Sequence, residues 1–205
     1  MSALDDLVKQ FERFPGVGVR QAKRFAFHML TLPESERSKL AQKITNLDNS
    51  VTACSKCHRY FSPASSSQTI CNICSDPNRD TDSIMVVAND NDIDAIERSS
   101  VYQGQYFVLG GTVPLLQQAP AKIRGAHLLA RAGELITAES ELEVILGFAI
   151  NPDGENTARY VEQLLAQKLE ATSYTIHQLG RGLSTGSELE YADPETIRTA
   201  LMNRQ

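Results

Sequence analysis

The chain has 205 residues, 41% of them hydrophobic and 22% charged, enough to bury a core in more than one unit. No run of eighteen apolar residues occurs, and the opening "MSALDDLVKQF" is acidic where a secretion signal is basic, so a cytoplasmic protein with reduced thiols is expected. The net charge of −5 conceals a split: residues 1–60 carry ten Lys/Arg against six Asp/Glu, and residues 61–205 carry ten against nineteen. Two ordinary solvated surfaces would satisfy this pattern, but so would a basic end that meets a polyanion and an acidic body that avoids one or meets a basic protein.

Leu4, Leu7, Val8, Phe11 and Phe14 recur at spacings of three and four, one face of a helix. "PGVG" (15–18) ends that helix, and a second is predicted from Arg20 to Leu30 with Ala22, Phe25, Ala26 and Met29 inward. Pro33 opens a third helix near its first turn, with Leu40, Ile44 and Leu47 as its inward stripe. Residues 52–80 are rich in Cys, Ser and Asn and show little periodicity.

From "SIMVVA" (83–88) onward, strands and helices alternate. "IDAIERS" reads as a helix, "QYFVLGG" as a strand, "KIRGAHLLARAGE" as a helix and "LEVILGFAI" as a strand. "TARYVEQLLAQKL" follows as a helix and "SYTIHQLGRG" as a last strand, giving a mostly parallel sheet covered on both faces. "DPETIRTALMNRQ" closes with a short helix capped by Asp193, with Pro194 at its first position. The predicted class is α+β multidomain: a helix-hairpin-helix domain at 1–52, a four-cysteine zinc module at 53–80, an α/β domain at 81–178 and a tail at 179–205.

All four cysteines lie in one window, as Cys54-x-x-Cys57 and Cys71-x-x-Cys74. Each pair can aim two sulfurs at one point, and two pairs complete a closed tetrahedral shell for one structural Zn²⁺. Two disulfides or free thiols are the alternatives, the first opposed by a reducing compartment. His58 adjoins Cys57 and can replace a cysteine, but reads better as a surface residue.

Gly16 and Gly18 allow the backbone conformations that a tight turn between helices needs. Its amides and the amino end of the next helix suit a phosphate, with Arg20, Lys23 and Arg24 just beyond and Lys9 and Arg13 before. Such a hairpin grips the DNA backbone without reading bases. An ordinary helical turn with solvated charges is the plainer reading. Phe25 and Phe27 are expected in the core, and His28 in a structural role.

A metal-dependent phosphodiester site of the Toprim type needs one Glu after its first strand and an acidic pair after a later one. The first strand ends "MVVAND", with Ala88 at the key position, and "NDND" reads as a helix cap and first turn. After the later strand, Asn151 takes the first place of the pair and leaves Asp153 and Glu155, so catalysis is not expected. Ser184 and Ser187 lack a nucleophile elbow, His127 and His177 read as core histidines, and no phosphate-binding P-loop occurs.

"FPGVGVRQAKRFAFHML", "CNICSDPNRD", "VYQGQYFVLGG", "EVILGFAINP", "TARYV" and "GRGLSTGSELEYAD" together resemble the RecR family along essentially the whole chain. The resemblance implies a non-enzymatic DNA-binding recombination mediator of RecF-pathway repair, associated with the nucleoid. It would act with RecO and RecF and help RecA displace single-strand binding protein at gaps. It would also form a homo-oligomer, a ring-shaped tetramer or a dimer. Carried over, Arg20 and Arg24 face DNA with Lys23 beside them, and Asn151, Asp153 and Glu155 form a candidate partner rim.

Three departures stand out: Val19 for the family's proline, Ala88 for its usual Glu, and a loop "NPDGENTA" about two residues short. A Mg²⁺-dependent nuclease or topoisomerase-like enzyme using Asp153 and Glu155, or a zinc-ribbon scaffold that binds only protein, are the competing classes.

Overall fold

The computed structural model describes residues 2–137, 140–169 and 173–179. The predicted closing helix and Ser184 and Ser187 lie outside these residues. The chain divides into two compact units, Met1–Val51 and Thr52–Gln205.

In the first unit, α1 (Ala3–Glu12) starts on a capping box: Asp5 N–H donates to Ser2 Oγ, and Ser2 N–H donates back to the Asp5 carboxylate. Next come α2 (Val19–Thr31), α3 (Glu34–Thr45) and the single turn α4 (Leu47–Ser50). Buried Val8, Ala22 and Ala26 form the centre, the two small alanines letting α1 and α2 approach, with Leu4, Leu7, Phe11 and Val17 around them. Phe25 packs edge-on against Phe11 at 5.8 Å.

Several expectations fail here. Phe14 and Phe27 are exposed, as is His28; α3 buries no residue, Ile44 being 66% exposed, and Leu47, which opens α4, is 55% exposed. Helical spacing reveals which side chains share a face, not whether another element covers it. Pro33 is the N-cap of α3 rather than its first helical residue.

The second unit is built on a four-stranded sheet, β3 (Ser83–Val87), β4 (Gln105–Val108), β5 (Leu142–Gly147) and β6 (Tyr174–Gln178), in the order β4-β3-β5-β6. Every pair is parallel, Ile84 lying between Gln105 and Val144. The crossovers are α6 (Asp90–Ser99), α7 (Gly125–Leu135) and α8 (Pro152–Ala166).

Alternation along the strands divides the core in two. Ile84, Val86, Phe107, Val144 and Leu146 face α7 and α8 through Leu128, Ala132, Ala158, Val161 and Leu165. Met85, Val87, Tyr106 and Val108 face α6 through Ile93, and the cysteine segment on the same side. That segment contains a hairpin the sequence did not suggest, β1 (Thr52–Ala53) against β2 (Tyr60–Phe61), and one helical turn, α5 (Asn72–Ser75). Strands of two residues are too short to show a period.

Two helix starts differ from expectation. α7 begins at Gly125, leaving Lys122, Ile123 and Arg124 in the approach to it. α8 begins at Pro152, so its first turn includes Asp153 and Glu155. His127 and His177 are exposed rather than buried in the core, since each sits on the outward side of its element.

Candidate functional site

Three places carry the residues singled out above. At the hairpin, Phe14 N–H and Val17 N–H close successive turns onto Phe11 O and Phe14 O, each at 3.1 Å. Gly16 sits at φ +74°, a conformation most side chains resist. Gly18 is the N-cap of α2 and supplies no side-chain acceptor. The first-turn amides of α2 are thus left for water or a ligand. Helices α1, α3, α6 and α8 all place acids in their first turns, whereas α2 has none. Its positive end is therefore unneutralised. Arg20, Lys23 and Arg24 are exposed beside it, Arg24 Nη1 donating to Gln21 Oε1 at 3.4 Å. Val19, at the first helical position, is where a proline would also fit.

The second place is the cysteine cluster. Cys54, Cys57, Cys71 and Cys74 are buried free thiols whose sulfurs all lie within 4.8 Å of one another. Cys57 Sγ and Cys71 Sγ are 3.6 Å apart. Metal–sulfur bonds of about 2.3 Å space a tetrahedral set of sulfurs about 3.8 Å apart, so the four fit one metal ion. Each knuckle is shaped by its own backbone: His58 N–H donates to Cys54 O and Ser75 N–H to Cys71 O. Cys71 N–H also donates to Cys54 Sγ at 3.4 Å. Hydrogen bonds among the four thiols lower the pKa of Cys54 and, with burial, raise those of Cys57 and Cys74, so protons are shared unequally within the cluster. His58 stays out of the cluster. At φ +60° it is half-buried, its ring 5.3 Å from Phe107 and 4.8 Å from His127. Burial, then the charges of Arg124 and His127, keep that imidazole below its usual value.

The third place is the carboxyl edge of the sheet. Asn151 is the N-cap of α8, its Oδ1 accepting from Gly154 N–H at 2.8 Å. Asp153 accepts from Leu115 N–H at 3.2 Å, and Thr157 receives Val113 N–H. These groups anchor the 113–115 loop to α8. Asn89 caps α6 in a reciprocal pair with Asp92, and Asp90 accepts Tyr60 N–H at 2.6 Å. The acids near both strand ends thus have structural hydrogen-bond partners, and the buried methyl of Ala88 lies just before the first of them in sequence. Lys122 and Arg124, which the apolar pattern assigns to a helix, lie against this edge. The signal for them was the glycine pair Gly110–Gly111, which makes room for the 122–124 backbone.

Family models match in three segments: RecR, helix-hairpin-helix over residues 4–47, a Toprim domain over 82–176, and RecR, C-terminal over 182–205. The chain is 34% identical over 203 residues to Recombination protein RecR of Mycolicibacterium smegmatis, covering 98% of this chain and 96% of that one. It is 36% identical over 205 residues to the protein of that name in Legionella pneumophila, covering 100% and 96%. It is 36% identical over 200 residues to that of Gloeothece citriformis, covering 97% and 94%. Identity at this level, nearly end to end in both sequences, means that the chain belongs to the RecR family of recombination proteins.

Proposed function

We propose that this protein is a DNA-binding recombination mediator with no catalytic activity of its own, acting with RecO and RecF to help RecA load at gaps covered by single-strand binding protein. The observation that carries this reading is the amino end of α2: a glycine cap, no acid in the first turn, and Arg20, Lys23 and Arg24 exposed beside it. Gly16 and Gly18 let a phosphodiester approach the backbone, and the three cations neutralise it. The four cysteines hold one structural Zn²⁺ per chain, with no open position for chemistry. The metal would stiffen the face that packs on Met85, Val87 and Val108. A homo-oligomer, tetrameric or dimeric, is supported by the apolar side chains that α2 and α3 leave exposed. Asn151, Asp153 and Glu155 form a rim suited to a basic partner such as RecO.

The test is fluorescence anisotropy with labelled DNA at two salt concentrations, with and without RecO. Binding should weaken steeply with salt as counterions are released. Charge reversal at Arg20, Lys23 and Arg24 together should abolish it, and Lys23→Ala alone should reduce the log–log salt slope by roughly one. Unchanged binding by that variant would remove the hairpin as the site. A nicking assay with Mg²⁺ addresses the enzymatic reading: cleavage that disappears in Asp153→Ala would overturn the proposal.

A further inference from the structure

At the carboxyl ends of β3 and β4, where open α/β sheets place their ligands, lies a cavity of about 260 Å³. Tyr60, Ala88, Asp90, Gly110, Lys122 and Arg124 line it. Its charge is the reverse of a Toprim metal site. The position after the first strand carries a methyl instead of a carboxylate, and two cations approach from the segment before α7. Asp90, the one acid here, is held by Tyr60 N–H.

Neither cation forms an ion pair among the described residues. Arg124 is half-buried; Nη1 donates to Val108 O at 3.0 Å and its backbone N–H to Leu109 O, and no carboxylate pairs with it among the described residues. Lys122 is exposed and has no hydrogen bond or ion pair among the described residues. A half-buried guanidinium without a counter-charge is costly unless an anion completes it. The backbone is shaped to keep both cations there. Gly110 and Gly111 adopt φ +99° and +135°, and a Cβ on Gly110 would lie 2.5 Å from Lys122 O. Any other residue at Gly110 would push the cationic segment away. Tyr60, 57% exposed, lines the same cavity as the two cations, and an aromatic ring with cations is the combination that holds a nucleotide by stacking and phosphate contact.

We propose that this cavity binds the phosphoryl group of a nucleotide, with Lys122 and Arg124 on the phosphate and Tyr60 against the base. The cavity, at about 260 Å³, is below the roughly 300 Å³ at which small-molecule pockets begin, so it has room for a phosphoryl group and leaves the sugar and base outside. The nucleotide comes either from a free mononucleotide or from a single strand passing over the sheet edge. No bond is made or broken. The assignment does not depend on the hairpin reading, because the residues involved belong to a different unit.

The experiment is an amide-resolved NMR titration of the full-length protein with thymidine 5′-monophosphate, thymidine, an oligothymidylate and hexaglutamate. Ala88, Gly110 and Gly111 report on the cavity, and Val19, Arg20 and Gln21 report separately on the hairpin, so failure at one site is distinguishable from failure at the other. Thymidine 5′-monophosphate should shift the cavity amides more than thymidine does. The Lys122→Glu variant, altered at an exposed side chain without partners, should weaken that response on the order of tenfold. A cavity response to the mononucleotide alone assigns a free nucleotide, and a stronger one to the oligomer assigns a strand; both support the proposal. Three results overturn it: no cavity response to either nucleotide ligand, a response unchanged in Lys122→Glu, or a response to hexaglutamate alone.

Discussion

Gly154 occupies a position where no side chain fits: a Cβ there would lie 1.9 Å from Ala149 O, in the turn that carries the chain from β5 into α8. Gly154→Ala should destabilise the second unit by about 3 kcal/mol, read as a lower denaturation midpoint. Gly16 differs, because a Cβ would meet nothing within 4 Å and only its φ of +74° resists substitution. Gly16→Ala should cost about 1–2 kcal/mol and shift melting of the first unit by less. At this scale the cysteines were the most legible residues, since two short local spacings bring four sulfurs together. Asn151, Asp153 and Glu155 were legible only as residue types. Asn followed by Pro and two acids also spells a helix start, and whether the backbone turns there depends on the packing of the 113–115 loop. The exposure of His28, His127 and His177 was not legible, because it depends on what lies opposite each helix or strand.

Among elements, α6 is fastened to the sheet by one ionic group. Arg79 forms a two-point contact with Glu97, which also accepts Tyr106 O–H at 2.7 Å, while Arg79 Nη1 reaches Gly104 O at 3.2 Å. Burial raises the Glu97 pKa, but the bonds from Arg79 and Tyr106 outweigh it and hold the carboxyl below its ordinary 4.5. A depressed carboxylate contributes its stability fully above the unfolded value and loses it as pH falls through the folded one. Thermal melts should therefore separate the native protein from Glu97→Gln at neutral pH, and the separation should close as pH drops below 4.5. A gap that persists in acid would show that the carboxylate's charge is not what fastens α6. The alternating strands and helices of this unit were readable from pattern because parallel strands are apolar throughout and bounded by turns. The cysteine segment was not, because the convergence of four cysteines rather than periodicity organises it.

At the scale of the molecule, among the described residues the first unit buries only Val8, Ala22 and Ala26 while Phe27, Leu30, Ile44 and Leu47 stay exposed. So small a centre in some fifty residues leaves much stabilisation to association. Ile44→Asp should lower the mass found by light scattering at micromolar concentration; an unchanged mass would place the contact elsewhere. The division of charge between the two ends was visible in the sequence, but the number of copies is set by surface shape, which composition does not encode. The cysteine cluster has a consequence beyond the strength of the fold. β4 is an edge strand, and its outward Val108 N–H donates to Cys57 O at 2.8 Å, so a knuckle lies over an edge that would otherwise be open. An uncovered parallel edge invites the strands of other molecules. Cys57→Ser, or chelation of the proposed Zn²⁺, should therefore cause aggregation with a concentration-dependent onset before the helices melt, which turbidity and circular dichroism followed together would separate.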